Sequence, residues 1–160
     1  MSDAASAKAA PIPFGGITPV LRVQSLKASL NYYINILGFK VDWGSDSDVG
    51  FASVSRGRCH IFLCEGDQGH PGSWVWIDAV DTEAVYEEYR VKGAKIRHPP
   101  TNYEWAYEMQ VEDLDGNVLR LGSDSKKAQP IGEWLDMRGD AWAKVKSSDG
   151  SWTHVKRPRR

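Results

Sequence analysis

The residues best suited to chemistry lie on strand-like segments in the second half of the chain. In "DLDGNVLRL", residues 113–121, a turn precedes an apolar strand that contains one arginine, Arg120. Successive side chains of a strand project from opposite faces, so Arg120 lies on the face opposite Leu119 and Leu121. A guanidinium stays protonated and only donates hydrogen bonds. Arg120 is therefore expected to bind an anionic or carbonyl group of a ligand, or to form an internal ion pair with one of three acids: Glu108, Asp78 or Glu65.

Tryptophan supplies the second chemical signal, because the chain contains 7 of them. Trp74 and Trp76 alternate along one strand-like segment, so both rings project from the same face. They are predicted to form a stacking wall for a planar ligand, and a cationic ligand would gain about 0.5 to 2 kcal/mol per cation–π contact. A dimer interface or ordinary core packing is the alternative interpretation of this pair.

Further aromatic and polar side chains could enclose the same ligand. The segment "NYEWAYEMQV", residues 102–111, contributes Tyr103, Trp105, Tyr107 and Glu108. These residues are predicted to close over the site and to offer a carboxylate, although a surface loop with an aromatic anchor would have the same composition. Glu108 is equally well suited to a structural partner of an arginine. In the first half of the chain four residues are predicted to line the site: His60, Phe62, Trp43 and Phe51.

Composition and charge exclude several classes of function. The formal net charge is −1, so no global field attracts nucleic acid or a membrane surface. No apolar run approaches the roughly 18 to 20 residues of a membrane-spanning helix, and the N-terminal segment has no apolar core of a secretory signal. Cys59 and Cys64 are read as buried thiols in a cytoplasmic protein. The cysteines and histidines have no zinc-site spacing.

The elements that must position these residues occur twice. Residues 17–43 predict a strand, a helix that begins after Ser25 and ends near Gly38, and a second strand. Residues 73–98 repeat this order, with Asp81 or Thr82 before the helix and Gly93 after it. Two further strands follow each copy, the second pair joined by an Asp-Gly turn.

This repeat predicts an α+β fold of two tandem βαβββ modules that form a cupped mixed sheet with the helices on its outer face. The uncovered inner face would be the lining of a ligand cup. The expected organisation is a flexible leader at 1–15, a first module at 16–66, a linker at 67–72, a second module at 73–124, and a C-terminal extension at 125–160 that ends in a hairpin.

Paired modules with "LRVQSLKASLNYYINILGF" in the first and "VEDLDGNVLRL" in the second resemble the vicinal oxygen chelate superfamily, which contains glyoxalases, bleomycin-resistance proteins and dioxygenases. Enzymes of that superfamily commonly bind a divalent metal through a histidine in the first strand and an acid in the last strand of each module. The corresponding positions here hold Thr18 in the first strand, Gly72 or Ser73 and then Trp74 in its equivalent in the second module, and Phe62 and Arg120 in the two last strands. An arginine cannot ligate a cation, so the resemblance is closest to the metal-free bleomycin-resistance branch.

That resemblance implies a cytoplasmic homodimer that sequesters an antibiotic-like small molecule, planar or cationic, in an aromatic-lined cleft, without metal, cofactor or chemical turnover. Neither nucleic acid nor a membrane is expected as a partner. Two alternatives stay open from the sequence. One is a metal-dependent glyoxalase-like or dioxygenase-like enzyme with a displaced site that uses Glu65, His60 or Glu108. The other is an interaction module whose cup is only a dimer interface.

Overall fold

A computed structural model describes residues 14–45, 49–136 and 138–157, so most of the expected leader, residues 1–13, lies outside the described residues. The first module forms a four-stranded mixed sheet in the order β1-β4-β3-β2. Its parallel pair is β1–β4, and the other pairs are antiparallel. The elements are β1 (Val20–Arg22), α1 (Leu26–Asn35), β2 (Lys40–Trp43), β3 (Phe51–Arg56) and β4 (Cys59–Cys64).

The second module repeats this topology as a separate four-stranded sheet in the order β5-β8-β7-β6. The parallel pair is β5–β8, which aligns Trp76 with Arg120 just as β1–β4 aligns Val20 with Phe62. The predicted α+β fold of tandem βαβββ modules is therefore confirmed. The elements are β5 (Trp74–Asp78), α2 (Thr82–Lys92), β6 (Lys95–Asn102), β7 (Tyr107–Glu112) and β8 (Val118–Ser123).

Both helices begin where the sequence predicts, and α2 also ends at the predicted glycine, whereas α1 ends at Asn35, before Gly38. The Ser25 side chain accepts a hydrogen bond from the Ala28 amide, and the Asp81 side chain accepts one from the Ala84 amide. These bonds satisfy backbone donors that the first turn of a helix leaves without a partner. Gly93 ends α2 with a φ of 74°, a left-handed conformation that glycine adopts without a steric penalty.

One face of each sheet packs into a core that the two modules share. The core side of the first sheet includes Leu21 and Ile61, that of the second includes Leu119, and all three are fully buried. Tyr33 of α1 and Tyr89 of α2 are also fully buried. The Tyr33 hydroxyl donates to Asp113 Oδ2 over 3.1 Å, and the Tyr89 hydroxyl donates to the Leu37 carbonyl over 3.1 Å. The helices therefore join the modules, and the opposite face of each sheet, its open face, is left for other contacts.

Three short strands follow the second module: β9 (Trp134–Leu135), β10 (Ala141–Lys146) and β11 (Trp152–Lys156). They form an antiparallel sheet in the order β11-β10-β9, in which Lys146 pairs with Trp152 across the hairpin turn. The described part of the C-terminal extension, residues 125–136 and 138–157, is called the extension below. No helix in the described ranges combines the length and the apolar character that crossing a membrane requires.

Candidate functional site

An ion pair lies at the middle of the open face of the second module. Arg120 Nε donates to Glu108 Oε1 over 2.7 Å, and Arg120 Nη2 donates to Glu108 Oε2 over 2.8 Å. Two parallel bonds of this kind fix both groups in one plane. The Glu108 side chain is 1% exposed, whereas that of Arg120 is 33% exposed. Because Glu108 accepts these bonds, the pKa of the Arg120 guanidinium rises above its ordinary value.

A cavity of about 310 Å³ surrounds this pair. Strands β5, β7 and β8 and the loop between β6 and β7 supply one part of its lining, and the extension supplies the other. Strand alternation explains why Glu108 and Gln110 of β7 meet Arg120 of β8, because all three lie on the open face. The lining residues are Trp74, Tyr103, Trp105, Glu108, Gln110, Arg120, Trp134 and Asp136.

Arginines already cover the two tryptophans of β5. The Arg97 guanidinium lies 5.3 Å from the Trp74 ring centroid, and that of Arg120 lies 5.3 Å from the Trp76 ring centroid. Trp76 Nε1 donates to Asp78 Oδ1 over 2.7 Å, and its side chain lies against Gly122. Trp76 is 43% exposed and stands beside the cavity rather than in its lining. Each of the two tryptophan rings therefore already has an arginine of the protein itself as a cation–π partner.

Trp105 is held over the ion pair by two contacts. Its ring stacks on Tyr103 with centroids 4.8 Å apart and an interplanar angle of 6°. Its Nε1 donates to Glu108 Oε2 over 3.2 Å. Burial raises the pKa of the Tyr103 hydroxyl to about 12, so this phenol stays protonated near neutral pH. The Trp105 ring is fixed although the residue is 54% exposed.

The open face of the first module carries a separate aromatic cluster. The rings of Trp43, Phe51 and Phe62 lie 5.4 to 5.8 Å apart. Trp43, Phe51 and Cys64 line a second cavity of about 410 Å³. His60 is exposed and its Nδ1 lies 3.3 Å from Asp42 Oδ2. This cluster lies on the other sheet and does not line the cavity around Arg120.

The structure thus brings together five residues that the sequence proposed for one site: Trp74, Tyr103, Trp105, Glu108 and Arg120. Tyr107 is not among them. It is the neighbour of Glu108 in β7 and projects from the core face, where its hydroxyl donates to Glu83 of α2. Tyr107 therefore does not line this cavity, because adjacent residues of a strand project from opposite faces.

Three lining residues were missed from the sequence: Gln110, Trp134 and Asp136. The alternation of side chains along β7 could have found Gln110, since it follows Glu108 by two positions and so lies on the same face. Trp134 and Asp136 belong to the extension, and no periodicity in the sequence indicates which surface a short extension will contact.

The residues at the superfamily's metal positions do not fit a divalent cation. Trp74 and Phe62 have no donor for a metal, and Arg120 brings a positive charge that is already paired with Glu108. Divalent cations need oxygen, nitrogen or sulfur donors that are neutral or anionic. Within the described ranges, no three His, Cys, Asp or Glu side chains lie close enough together to hold a metal ion. We derive no chemical step through a metal.

The fold is that of a paired-module protein, in which two βαβββ modules share one core and each sheet leaves its other face open. The chain belongs to the Glyoxalase/Bleomycin resistance protein/Dioxygenase superfamily, whose family model matches residues 16–121. Comparison with curated protein sequences gives no match. The superfamily predicted from the two repeated segments is therefore confirmed.

Solved structures share this fold at low sequence identity. TnmS3, an antibiotic binding protein from Streptomyces sp. CB03234, is 18% identical with a TM-score of 0.62, and the match covers 72% of this chain and 100% of that one. The bleomycin-binding protein from Streptomyces verticillus, solved with copper(II)-bleomycin, is 24% identical with a TM-score of 0.58 and the same coverage. TioX from Micromonospora sp. ML1 is 16% identical with a TM-score of 0.58, covering 68% and 98%.

Proposed function

We propose that this protein binds an antibiotic-like small molecule in an aromatic-lined cleft and acts by sequestration, without chemical turnover. The observation that carries the proposal is the cavity around Glu108 and Arg120. Its charged pair is mutually satisfied, and tryptophan rings surround it. Such a site offers stacking surfaces and few hydrogen-bonding groups, which is typical of small-molecule binding pockets.

The ligand-binding residues in this proposal fall into two groups. Trp74, Trp105, Glu108 and Arg120 form the main site, with Trp76 beside it. Trp43, Phe51, Phe62 and His60 form a second aromatic surface on the other sheet. The fold shared with TnmS3 and with the bleomycin-binding protein supports this assignment, since both of those proteins are described as binding antibiotics. That likeness concerns the fold, and the ligand of this chain is part of the proposal.

A homodimer and a cytoplasmic location belong to the same proposal. Trp43 is 48% exposed on an open face, and exposed aromatic surface of this kind is common where a second subunit docks. Cys59 and Cys64 are both free thiols, which suits a reducing compartment. Sedimentation of the purified protein tests the dimer directly.

Tryptophan fluorescence of the metal-stripped protein tests the binding function. Planar and cationic antibiotics, bleomycin among them, are titrated into the wild type and into Trp74→Ala and Trp76→Ala. Trp152→Ala is the matched control, because Trp152 is an exposed tryptophan of the hairpin. We expect saturable quenching that Trp74→Ala abolishes, that Trp76→Ala weakens and that Trp152→Ala retains, with no change on adding Zn²⁺ or Ni²⁺.

Two results would contradict the proposal. Quenching that depends on added metal would indicate the enzyme class instead. Absence of quenching by every compound, together with complete burial of Trp74 and Trp76 in a dimer, would indicate an interaction module.

A further inference from the structure

The extension lies outside the part of the chain that defines the superfamily. The family model ends at residue 121, and the match to TnmS3 covers 72% of this chain but all of TnmS3. The extension is nevertheless packed on the open face of the second module. It therefore adds a component to the site that the shared fold does not contain.

Asn102 at the end of β6 anchors the start of the extension. Its side-chain amide donates to the carbonyls of Lys126 and Gln129 over 2.9 and 3.0 Å, and its Oδ1 accepts from the Lys126 amide over 2.8 Å. Its backbone carbonyl accepts from the Gly132 amide over 2.8 Å. Asn102 is 4% exposed, so these bonds are shielded from water and hold residues 126–132 firmly.

The next segment is attached across the cavity itself. The Tyr103 hydroxyl donates to the Glu133 carbonyl over 3.2 Å, and Arg97 Nη2 donates to the Asp136 carbonyl over 3.0 Å. Lys144 of β10 forms an ion pair with Glu104 over 2.5 Å. These bonds place Trp134 and Asp136 opposite the tryptophans of the module.

Trp134 and Asp136 are held in place by other residues of the extension. The Trp134 ring stacks on Trp142 with centroids 5.9 Å apart and an interplanar angle of 15°. The Asp136 carboxylate accepts from Trp142 Nε1 over 2.8 Å and from the backbone amides of Arg138 and Asp140 over 2.9 and 3.0 Å. A wall with fixed side chains costs little ordering entropy when a ligand binds.

The charges of the cavity indicate what kind of ligand fits. The Glu108 carboxylate is buried and paired, and both oxygens of the Asp136 carboxylate already accept from the donors named above, so a cationic ligand would have to compete with donors that are already in place. Arg97 and Arg120 already lie against the tryptophans that would attract a cation. Arg120 uses Nε and Nη2 for Glu108, and among the described residues none accepts from its Nη1. That nitrogen can donate to a neutral carbonyl oxygen.

We propose that the extension completes the cavity of the second module within one chain, and that this cavity takes an uncharged planar aromatic molecule whose carbonyl oxygen accepts from Arg120. The inference rests on the proposed binding function and narrows its ligand class. Trp134 is the added wall, and no residue of a second subunit is needed to form this pocket.

Fluorescence titration of the full chain with 10-methylacridone tests the ligand class. The matched probe is 10-methylacridinium, which has the same three rings but carries a positive charge and no carbonyl. We expect the neutral probe to bind about tenfold or more tightly than the cation. We expect Trp134→Ala to weaken its binding about tenfold, as loss of a stacking wall would, whereas Trp152→Ala binds as the wild type does.

A paired substitution tests whether the attachment of the extension matters. A Cβ at residue 132 would lie 2.3 Å from Thr101 Cγ2, so Gly132→Ala pushes the extension away from β6. Thr101→Ser removes that methyl group and keeps the hydroxyl. We expect Gly132→Ala to weaken binding of 10-methylacridone and Gly132→Ala/Thr101→Ser to restore it, at closely similar thermal stability.

The outcomes separate this inference from the function on which it rests. Binding that Trp74→Ala abolishes but Trp134→Ala leaves unchanged overturns the inference and retains the aromatic cleft. Tighter binding of 10-methylacridinium, or affinity that appears only when the protein is concentrated into dimers, also overturns it. If neither tryptophan affects binding of any probe or antibiotic, the cleft function itself is wrong.

Discussion

Glu108 and Arg120 face the same side of neighbouring antiparallel strands, one fully buried and the other one-third exposed, and they are joined by two hydrogen bonds of 2.7 and 2.8 Å. The register places Gln110 opposite Arg120 and Gly122 opposite Glu108, so the ion pair runs diagonally across β7 and β8. The guanidinium therefore neutralises a buried carboxylate on one side and remains accessible on the other. Arg120 can be a structural partner and a ligand contact at once.

Arg120→Met is expected to destabilise the protein by roughly 3 to 5 kcal/mol, because it leaves Glu108 buried without a counter-charge. Chemical denaturation measures the free energy of unfolding. The double variant Arg120→Met/Glu108→Gln removes the buried charge as well and is expected to be more stable than Arg120→Met alone. Equal stability of the two variants would contradict the attribution of this cost to an unpaired buried charge.

Gly122→Ala is expected to destabilise the protein by about 1 to 3 kcal/mol through overpacking. A Cβ at this position would lie 2.2 Å from the Trp76 ring, so the ring must leave its place beside Arg120. The same substitution in a Trp76→Ala background is the control, and there its cost should largely disappear. A cost that persists without the ring would assign the effect to the strand backbone.

Asp113→Asn is expected to cost about 1 to 3 kcal/mol of unfolding free energy, because buried donors lose their acceptor. Asp113 Oδ2 accepts from the Tyr33 hydroxyl over 3.1 Å and from Asn117 Nδ2 over 2.8 Å, and an amide nitrogen at that place cannot accept. Thermal denaturation followed by circular dichroism provides the comparison. The control substitution Asp124→Asn, at an exposed aspartate, should leave the melting temperature unchanged.

Stability should depend on pH through Glu112. A hydrogen bond from Lys95, helped by one from Arg97, lowers the pKa of Glu112 below its ordinary value of 4.5. A carboxyl whose pKa is lowered by folding stabilises the protein above its unfolded-state pKa and loses that contribution as the pH falls through the folded-state pKa. The stability advantage of the wild type over Glu112→Gln should therefore be complete well above the ordinary pKa of 4.5, and it should disappear as the pH falls through the lower folded-state pKa. A constant difference across that range would contradict the assignment.

The sequence was sufficient for the fold because its signals are local. Ser25, Asp81 and Gly93 are capping residues whose effect depends on their own helix, and the alternation of Leu119, Arg120 and Leu121 fixes the faces of β8. The same alternation would have removed Tyr107 from the site, had it been applied through β7.

The rest of the site depends on contacts between distant segments. Trp134 reaches the cavity only because Asn102 and Arg97 hold the extension across the open face, and neither bond leaves a periodic signal in the sequence. The sequence likewise left three acids as possible partners of Arg120. Only the structure shows that Glu108, diagonal to Arg120 across β7 and β8, is the acid that it binds.

The location of the core between the two modules has a consequence for how this protein can change over generations. Most residues that determine stability, such as Tyr33 and Tyr89, lie on the side of each sheet away from the open faces. Substitutions at Trp43, Trp76 or Trp105 can thus alter what the surface recognises while leaving the main packing intact. The exception is the buried carboxylate of Glu108, so we expect natural variants to diversify around that ion pair and to retain the pair itself.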